Sequence, residues 1–251
     1  MNQENDLNRK VIELCLLAGK IMLKSGAETR RAEDTMRRIA SSFGIHDSQS
    51  FVTPTGIMFS LSEADPTKLV RISVRSTDLK KVAIVNDISR KITSGDLTIE
   101  EALKELKAVA KADLSYPVWL QIVAASLVSS CFLIMFNGGW GDFLPALIAG
   151  GAGYAVFIYV HKMIKLKFVS EFMGSFAIGV IAYFAILLGW GTAMDKIIIG
   201  SVMPLVPGVL ITNAVRDLMD GHFASALSKS AESFLTSLAI GSGIAFVFLL
   251  H

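Results

Sequence analysis

The hydrophobic and polar positions of the chain follow two different patterns, and the change falls near residue 115. Before it, apolar residues recur every three to four positions or every second position, which is typical of amphipathic helices and half-exposed strands. After it, long apolar stretches carry few charged residues. The pattern therefore predicts a membrane protein with two parts, a globular domain over residues 1–115 and a transmembrane helical domain over residues 116–251.

The first part is predicted to be an α+β domain. Apolar residues at helical spacing predict two helices at its start, and short alternating runs predict strands after them. Asp78 and Thr98 each precede a new apolar period, and we expect them to cap helices, Thr98 in a capping box with Glu101. The predicted elements are helices near 7–21 and 29–43, strands near 50–53, 57–61 and 69–74, and helices near 79–93 and 99–111.

The second part contains five apolar stretches of about the 20 residues that a helix needs to cross a bilayer. The fourth is the least regular, because Pro204, Pro207 and Gly208 interrupt it. We therefore expect a bundle of about five transmembrane helices. The predicted spans cover residues 117–136, 143–160, 168–188, 197–215 and 231–250.

Composition excludes several classes of protein. Hydrophobic residues make up 52% of the 251 residues and charged residues only 18%, which is incompatible with a disordered chain and unusual for a soluble enzyme. The net charge of +2 argues against a nucleic-acid partner. Two cysteines are too few for a disulfide framework, and the four histidines lack metal-ligand spacing. We therefore expect neither a metal nor a cofactor.

The basic residues between the spans predict the orientation in the membrane. Lys162, Lys165, Lys167, Arg216 and Lys229 fall on one side, and a single lysine falls on the other. Positively charged loops stay on the cytoplasmic side, and here that is the side of residues 1–115. The globular domain is therefore predicted to be cytoplasmic, and an odd number of spans would place the C-terminus outside.

The interrupted fourth span is the first candidate for function. Each proline lacks an N–H group and clashes with the carbonyl four residues earlier, so the carbonyls of Gly200 and Met203 are expected to lose their usual partners. Transporters place substrate and ion sites at broken helices of this kind. The alternative is a proline kink that serves packing alone.

Polar residues follow the break. Thr212 and Asn213 could line a polar path, and Arg216 and Asp217 stand near the cytoplasmic end of the same span. Charges near a membrane often serve a function, although these two could equally form a solvated anchor with its counter-ion. Glu232, at the start of the fifth span, is a candidate proton-coupling carboxylate; the alternative is an interfacial salt bridge with Lys229.

Two compact polar segments of the globular domain could also bind a ligand. One contains Glu28 and Thr29, and the other contains Thr53 and Thr55. The first could equally be the cap of a helix, and the second could be the turn of a hairpin. We favour these structural interpretations for both segments.

Several segments resemble motifs of the threonine/serine exporter family in its short YjjP-like form, and the resemblance covers nearly the whole chain. The segment from Pro207 to Gly221 is the most specific, although the family pattern usually has Gly at Ala226 and Arg at Lys229. Lysine keeps the charge of arginine without its bidentate fork. The matching segments are Gly26-Ala27-Glu28-Thr29, Glu33-Asp34-Thr35-Met36, Val52-Thr53-Pro54-Thr55-Gly56, Asn137-Gly138-Gly139-Trp140 with Asp142, Pro207-Gly208, and Thr212-Asn213-Ala214-Val215-Arg216-Asp217 with Gly221.

The resemblance implies a bacterial inner-membrane exporter of small polar metabolites, with threonine, serine or dicarboxylates such as succinate as substrates. It also implies pairing with a separate small membrane subunit of the YjjB type. Five spans are few for a complete alternating-access transporter, so a partner or a homo-oligomer is expected.

A proton-coupled mechanism follows as a hypothesis. The substrate carboxylate would meet Arg216 or the helix N-terminus near Pro207 and Gly208, and Thr212 and Asn213 would hydrogen-bond the substrate. Asp217 or Glu232 would exchange the coupling proton.

Two other functions remain open at this point. One is a membrane-tethered enzyme or sensor whose chemistry lies in residues 1–115. The other is a channel or scaffold subunit without coupled transport.

Overall fold

The computed structural model describes residues 2–249, which form ten α-helices and a three-stranded sheet. The chain folds into two compact units. We call Met1–Ser115 with Val209–Ser230 the polar unit, and Tyr116–Gly208 with Ala231–His251 the apolar unit. Residues 209–230 thus group with the N-terminal part, whereas the sequence pattern assigned all of residues 116–251 to the membrane domain.

The helices of the polar unit begin and end where local signals direct. The side chain of Asp78 accepts a hydrogen bond from the backbone N–H of Lys81, and Thr98 forms a reciprocal capping box with Glu101. Gly95 adopts the left-handed conformation that ends a helix. The helices are α1 (Asn2–Lys24), α2 (Thr29–Ser42), α3 (Leu79–Ser94) and α4 (Ile99–Lys111).

The sheet is antiparallel with strand order β1 (Gln49–Thr53), β2 (Gly56–Ser60) and β3 (Lys68–Arg71). The third strand ends at Arg71 and not at residue 74 as predicted. After the strand, the N–H of Ile72 donates to the carbonyl of Thr55, and the N–H groups of Ser76 and Asp78 donate to the carbonyls of Lys24 and Ser25 at the end of α1.

A single apolar cluster fills the polar unit. It takes side chains from the helices α1 to α4 and from the sheet, so burial of apolar surface joins these elements. Fully buried members include Leu14, Met36, Ile57, Ile88 and Leu106.

The remaining helices alternate with short turns. Four of them, over residues 118–135, 140–164, 167–187 and 223–249, are long and apolar enough to cross a membrane, and Met194–Leu205 with Gly208–Met219 could form a fifth, broken span. This agrees with the predicted helical membrane protein. The helices are α5 (Val118–Met135), α6 (Phe143–Ile164), α7 (Lys167–Leu187), α8 (Met194–Val202), α9 (Gly208–Met219) and α10 (Phe223–Leu249).

Small residues bring the helices of the apolar unit close together. A Cβ atom added to Gly153 on α6 would overlap Cγ1 of Ile178 on α7, and one added to Gly150 would overlap Oγ of Ser129 on α5. No side chain would fit at these two positions, so the glycines set the helix spacing.

The break in the fourth predicted span differs from expectation in its hydrogen bonds. The carbonyl of Gly200 accepts the N–H of Met203, and the carbonyl of Met203 accepts the N–H of Val206. A short 3-10 turn over Met203–Leu205 supplies these bonds, so the two carbonyls are not left without partners. The prolines alone therefore do not create a polar site at this break.

The last helix also differs in its bounds. It begins at Phe223 rather than at residue 231, and its first turns belong to the polar unit. The predicted end of this span at Leu250 and the predicted outside position of His251 lie beyond the described residues.

Candidate functional site

Asp217 is the most deeply buried charged side chain of the polar unit. Its two carboxylate oxygens accept hydrogen bonds from the backbone N–H of Thr29 at 3.1 Å and from the Thr29 hydroxyl at 2.7 Å. The ammonium of Lys229 lies 2.6 Å from the same carboxylate, and the lysine and aspartate side chains are 6% and 0% exposed. We call Thr29, Asp217 and Lys229 the Asp217 cluster; its one positive and one negative charge balance.

The local sequence explains why Asp217 is needed at this position. Thr29 is the first residue of α2, and the N-cap residue Glu28 makes no capping hydrogen bond with its side chain. A helix N-terminus leaves backbone N–H groups without intrahelical partners and carries partial positive charge. The carboxylate of Asp217, remote in sequence, therefore supplies the cap that Glu28 does not.

Two contacts extend the cluster along α9. The side-chain amide of Asn213 donates to the carbonyl of Gly26 at 2.9 Å, in a turn where Gly26 has a positive φ of 85°. Arg216, half exposed, forms an ion pair with Glu28. Because Asn213, Arg216 and Asp217 share α9, this helix is held against the α1–α2 turn by three polar contacts.

A second acid–base contact lies at the corner between α9 and α10. His222 Nε2 is 3.5 Å from the Glu33 carboxylate on α2. Burial raises the pKa of Glu33 above its ordinary value, and His222, the Val52 N–H and Arg37 oppose the shift. The neutral form of Glu33 is thus favoured by its surroundings.

The apolar unit contains a different cluster of charge. Lys167 Nζ lies 2.8 Å from the Glu232 carboxylate and 4.0 Å from that of Glu171, whose side chain is 4% exposed. Two carboxylates share one ammonium on helices α7 and α10. We call these three residues the Lys167 cluster.

The structure brings together residues that the sequence suggested separately. Glu28 and Thr29, proposed for the globular domain, lie beside Asn213, Arg216 and Asp217, proposed for the fourth span. Their distance in the chain, nearly two hundred residues, explains why spacing could not show this.

The structure also decides between the alternatives for Lys229, Thr53 and Thr55. The suggested pairing of Lys229 with Glu232 is wrong, because Lys229 bonds Asp217 and Glu232 bonds Lys167. Thr53 and Thr55 form the turn of the β1–β2 hairpin, where the Thr53 hydroxyl bonds Gly56.

The remaining suggested residues lie along the start of α9. Gly208 is the first residue of the helix, directly after Pro207, and the Thr212 side chain on its second turn is exposed. A role for these residues in binding substrate stays a prediction.

Asp142 and Lys167 are functional candidates that sequence reasoning missed. Asp142 is fully buried and accepts hydrogen bonds from the backbone N–H and hydroxyl of Thr192, at 2.5 and 2.9 Å, and from the N–H of Ala193. The signal for Asp142 was its place in a family motif, and for Lys167 its position four residues before Glu171.

Comparison with known proteins identifies relatives along nearly the whole chain. The family model described as "Putative threonine/serine exporter" matches residues 13–251. A "Probable threonine/serine exporter" of Mycobacterium tuberculosis is 22% identical over 240 residues, which is 94% of this chain and 45% of that protein. The "Probable succinate transporter subunit YjjP" proteins of Klebsiella aerogenes and Escherichia coli are 24% and 23% identical, covering 97% and 96% of this chain and 95% and 94% of theirs.

The relatives differ in length. The chain spans about half the length of the mycobacterial relative and nearly all of the two YjjP proteins. No solved structure matches the chain.

Proposed function

The chain belongs to the threonine/serine exporter family, and from that membership we propose that it is a subunit of a bacterial inner-membrane exporter of small polar metabolites. The substrate class is threonine and serine or dicarboxylates such as succinate, the substrates that the names of its relatives carry. The family is one of transporters, so the alternative of a membrane-tethered enzyme is set aside. The apolar helices agree with a multi-pass membrane protein.

A partner is part of the proposal. Two relatives of matching length are named as subunits, and a third relative is about twice as long. Four or five spanning helices supply about half of the paired repeats that alternating access commonly uses. We propose that a second membrane subunit of the YjjB type, or a second copy of this chain, supplies the rest, with residues 1–115 in the cytoplasm as the positive-inside rule predicts.

The observation that carries the proposal is that residues from separate family motifs contact one another, those of α9 with those of the α1–α2 turn. Asn213, Arg216 and Asp217 each contact the α1–α2 turn. Of the three, Arg216 remains half exposed, and its partner Glu28 is a carboxylate. The substrate carboxylate replaces Glu28 at Arg216, while the buried Asp217 cluster keeps the helix in place.

The Lys167 cluster supports coupling to protons. In this cluster two carboxylates lie around one ammonium, on helices that are long and apolar enough to cross a membrane. Charge in such a place is costly, and taking up a proton removes it. We therefore assign the coupling proton to Glu232 with Glu171, in preference to the charge-balanced Asp217.

The test is efflux of threonine and of succinate from whole cells that carry the full chain and its partner. We expect Glu232→Gln to abolish the dependence of efflux on the proton gradient. We expect Arg216→Gln to raise the internal substrate concentration that half-maximal efflux requires. Asp195→Asn, an exposed acid at the start of α8, is the matched control.

Two outcomes would overturn parts of the scheme. If gradient-driven efflux is unchanged in both Glu232→Gln and Glu171→Gln, the coupling assignment is wrong. If the unaltered protein moves substrate equally with and without a gradient, the protein is an uncoupled channel subunit.

A further inference from the structure

A polar cavity of about 510 Å³ lies in the polar unit, between the outer face of α2 and α3. Its size is within the range of small-molecule sites. Most of its wall is charged, with four arginines and three acids. We call it the arginine groove, lined by Glu28, Arg30, Arg31, Asp34, Thr35, Arg38, Asn86, Arg90 and Asp220.

The acids of the arginine groove are already matched by cations. Asp220 accepts from Arg30 at 2.9 Å, and Arg30 also lies 3.7 Å from Asp34. Glu28 pairs with Arg216 and lies 3.8 Å from Arg31. The negative charge at this end of the groove is therefore neutralised within the protein.

The other end of the groove has two arginines without such partners. Among the side chains of residues 6–249, no hydrogen bond or ion pair engages the guanidinium of Arg38 or of Arg90. Arg38 is half buried on α2, and Arg90 stands on α3. Each can offer a planar fork of N–H donors to a carboxylate.

The packing of α2 and α3 places these two arginines side by side. The hydroxyls of Ser42 and Thr93 lie 3.2 Å apart, which joins the C-terminal ends of the two helices. Arg38 and Arg90 stand four and three residues before those hydroxyls, about one helical turn in each case. They therefore lie at the same level of the groove, with Asn86 one turn earlier on α3.

We propose that the arginine groove is a binding site for a small dicarboxylate, one carboxylate for each unpaired guanidinium. Arg38 and Arg90 hold the two carboxylates, and the Asn86 amide donates a further hydrogen bond. The groove is separate from the proposed transport contact at Arg216, but Glu28 lines it and pairs with Arg216. Occupancy of the groove can thus be sensed at α9 through Glu28.

The test measures binding to the purified full chain in detergent by calorimetry. Succinate is the probe, and succinamide, L-threonine and inorganic phosphate are the comparison ligands. We expect succinate to bind and succinamide not to bind. Threonine and phosphate should bind more weakly than succinate, because threonine has only one carboxylate and phosphate lacks two separated anionic groups. The double variant Arg38→Gln/Arg90→Gln should weaken succinate binding at least about tenfold.

Two further variants keep this test decisive. Arg71→Gln removes an exposed arginine on β3, outside the groove, and should bind as the unaltered chain does. Arg38→Lys/Arg90→Lys keeps the charge without the fork and should bind with intermediate affinity.

Several results would overturn the proposal. They are no detectable succinate binding at millimolar concentration, binding unchanged in the double glutamine variant, or threonine or phosphate binding as tightly as succinate. Because the readout is binding, it is independent of the efflux result for Glu232→Gln.

Discussion

The two units bury carboxylates in different ways. In the polar unit, Asp217 meets one ammonium and two donors of Thr29, so its charge is matched and its hydrogen bonds are filled. In the apolar unit, Glu171 and Glu232 share Lys167, so one negative charge exceeds the positive charge. Removing one partner of a buried pair is costly, whereas a desolvated carboxylate can be neutralised by taking up a proton. The Asp217 cluster therefore suits a contact that stays in place, and the Lys167 cluster suits a site that changes its charge.

The largest expected effect comes from neutralising Asp217 in the polar unit, and the same change at Glu171 in the apolar unit is the comparison. Asp217→Asn leaves the Lys229 ammonium buried without its counter-charge, and we expect a loss of about 3–5 kcal/mol in the free energy of unfolding. Glu171→Gln leaves the Lys167–Glu232 pair intact and no ammonium without a carboxylate, so we expect a smaller loss of at most about 1 kcal/mol, the net value of a typical hydrogen bond. Both can be measured by denaturant unfolding of the full chain in detergent.

Two controls accompany this comparison. Asp220→Asn breaks only the Arg30 pair, whose guanidinium side chain is 62% exposed, and should cost less than about 1 kcal/mol. Lys229→Met combined with Asp217→Asn should recover part of the lost stability, because it removes the unpaired ammonium. Equal losses for Asp217→Asn and Glu171→Gln would contradict the distinction between the two units.

A smaller effect is expected for the third buried acid, Asp142. It lies in the apolar unit, but hydrogen bonds from Thr192 and Ala193 hold it at the start of α8. Asp142→Ala should reduce the free energy of unfolding by about 1.5–3 kcal/mol, the range for a hydrogen-bonded charged group. Asp195→Ala, an exposed acid in the first turn of the same helix, should cost at most about 1 kcal/mol. Similar losses of unfolding free energy in the two variants would show that the dipole of α8 contributes more to stability than the buried hydrogen bonds of Asp142.

Local signals in the sequence were sufficient to predict the helices and strands, but not the contacts between elements that are distant in the chain. Asp78, Gly95 and Thr98 act within a few residues of their positions, and the helices that they bound lie where the pattern predicts. The apolar lengths likewise predicted helices that are long and apolar enough to cross a membrane.

The candidate site was predictable only in its parts. The sequence indicates Asp217 as a charge near a membrane, and Thr29 as a polar residue in a compact segment. Their contact joins positions 188 apart, and no periodicity extends that far. The suggested Lys229–Glu232 pair shows the same limit. The two residues are close on one helix, but Lys229 bonds Asp217 on α9 and Glu232 bonds Lys167 on α7.

The smallest expected effect concerns the dependence of stability on pH, through Glu33 in the polar unit. Its pKa is raised in the folded protein, chiefly by burial, so the folded state holds a proton more tightly than the unfolded state. Stability from this group is therefore fully present below the ordinary glutamate pKa of about 4.3, and it is lost as pH rises through the folded pKa. Glu33→Gln should flatten that part of the unfolding profile, and Asp34→Asn, an exposed neighbour on α2, should not. If both variants kept the slope when unfolding is measured across acidic pH, the assignment of this pH dependence to Glu33 would be contradicted.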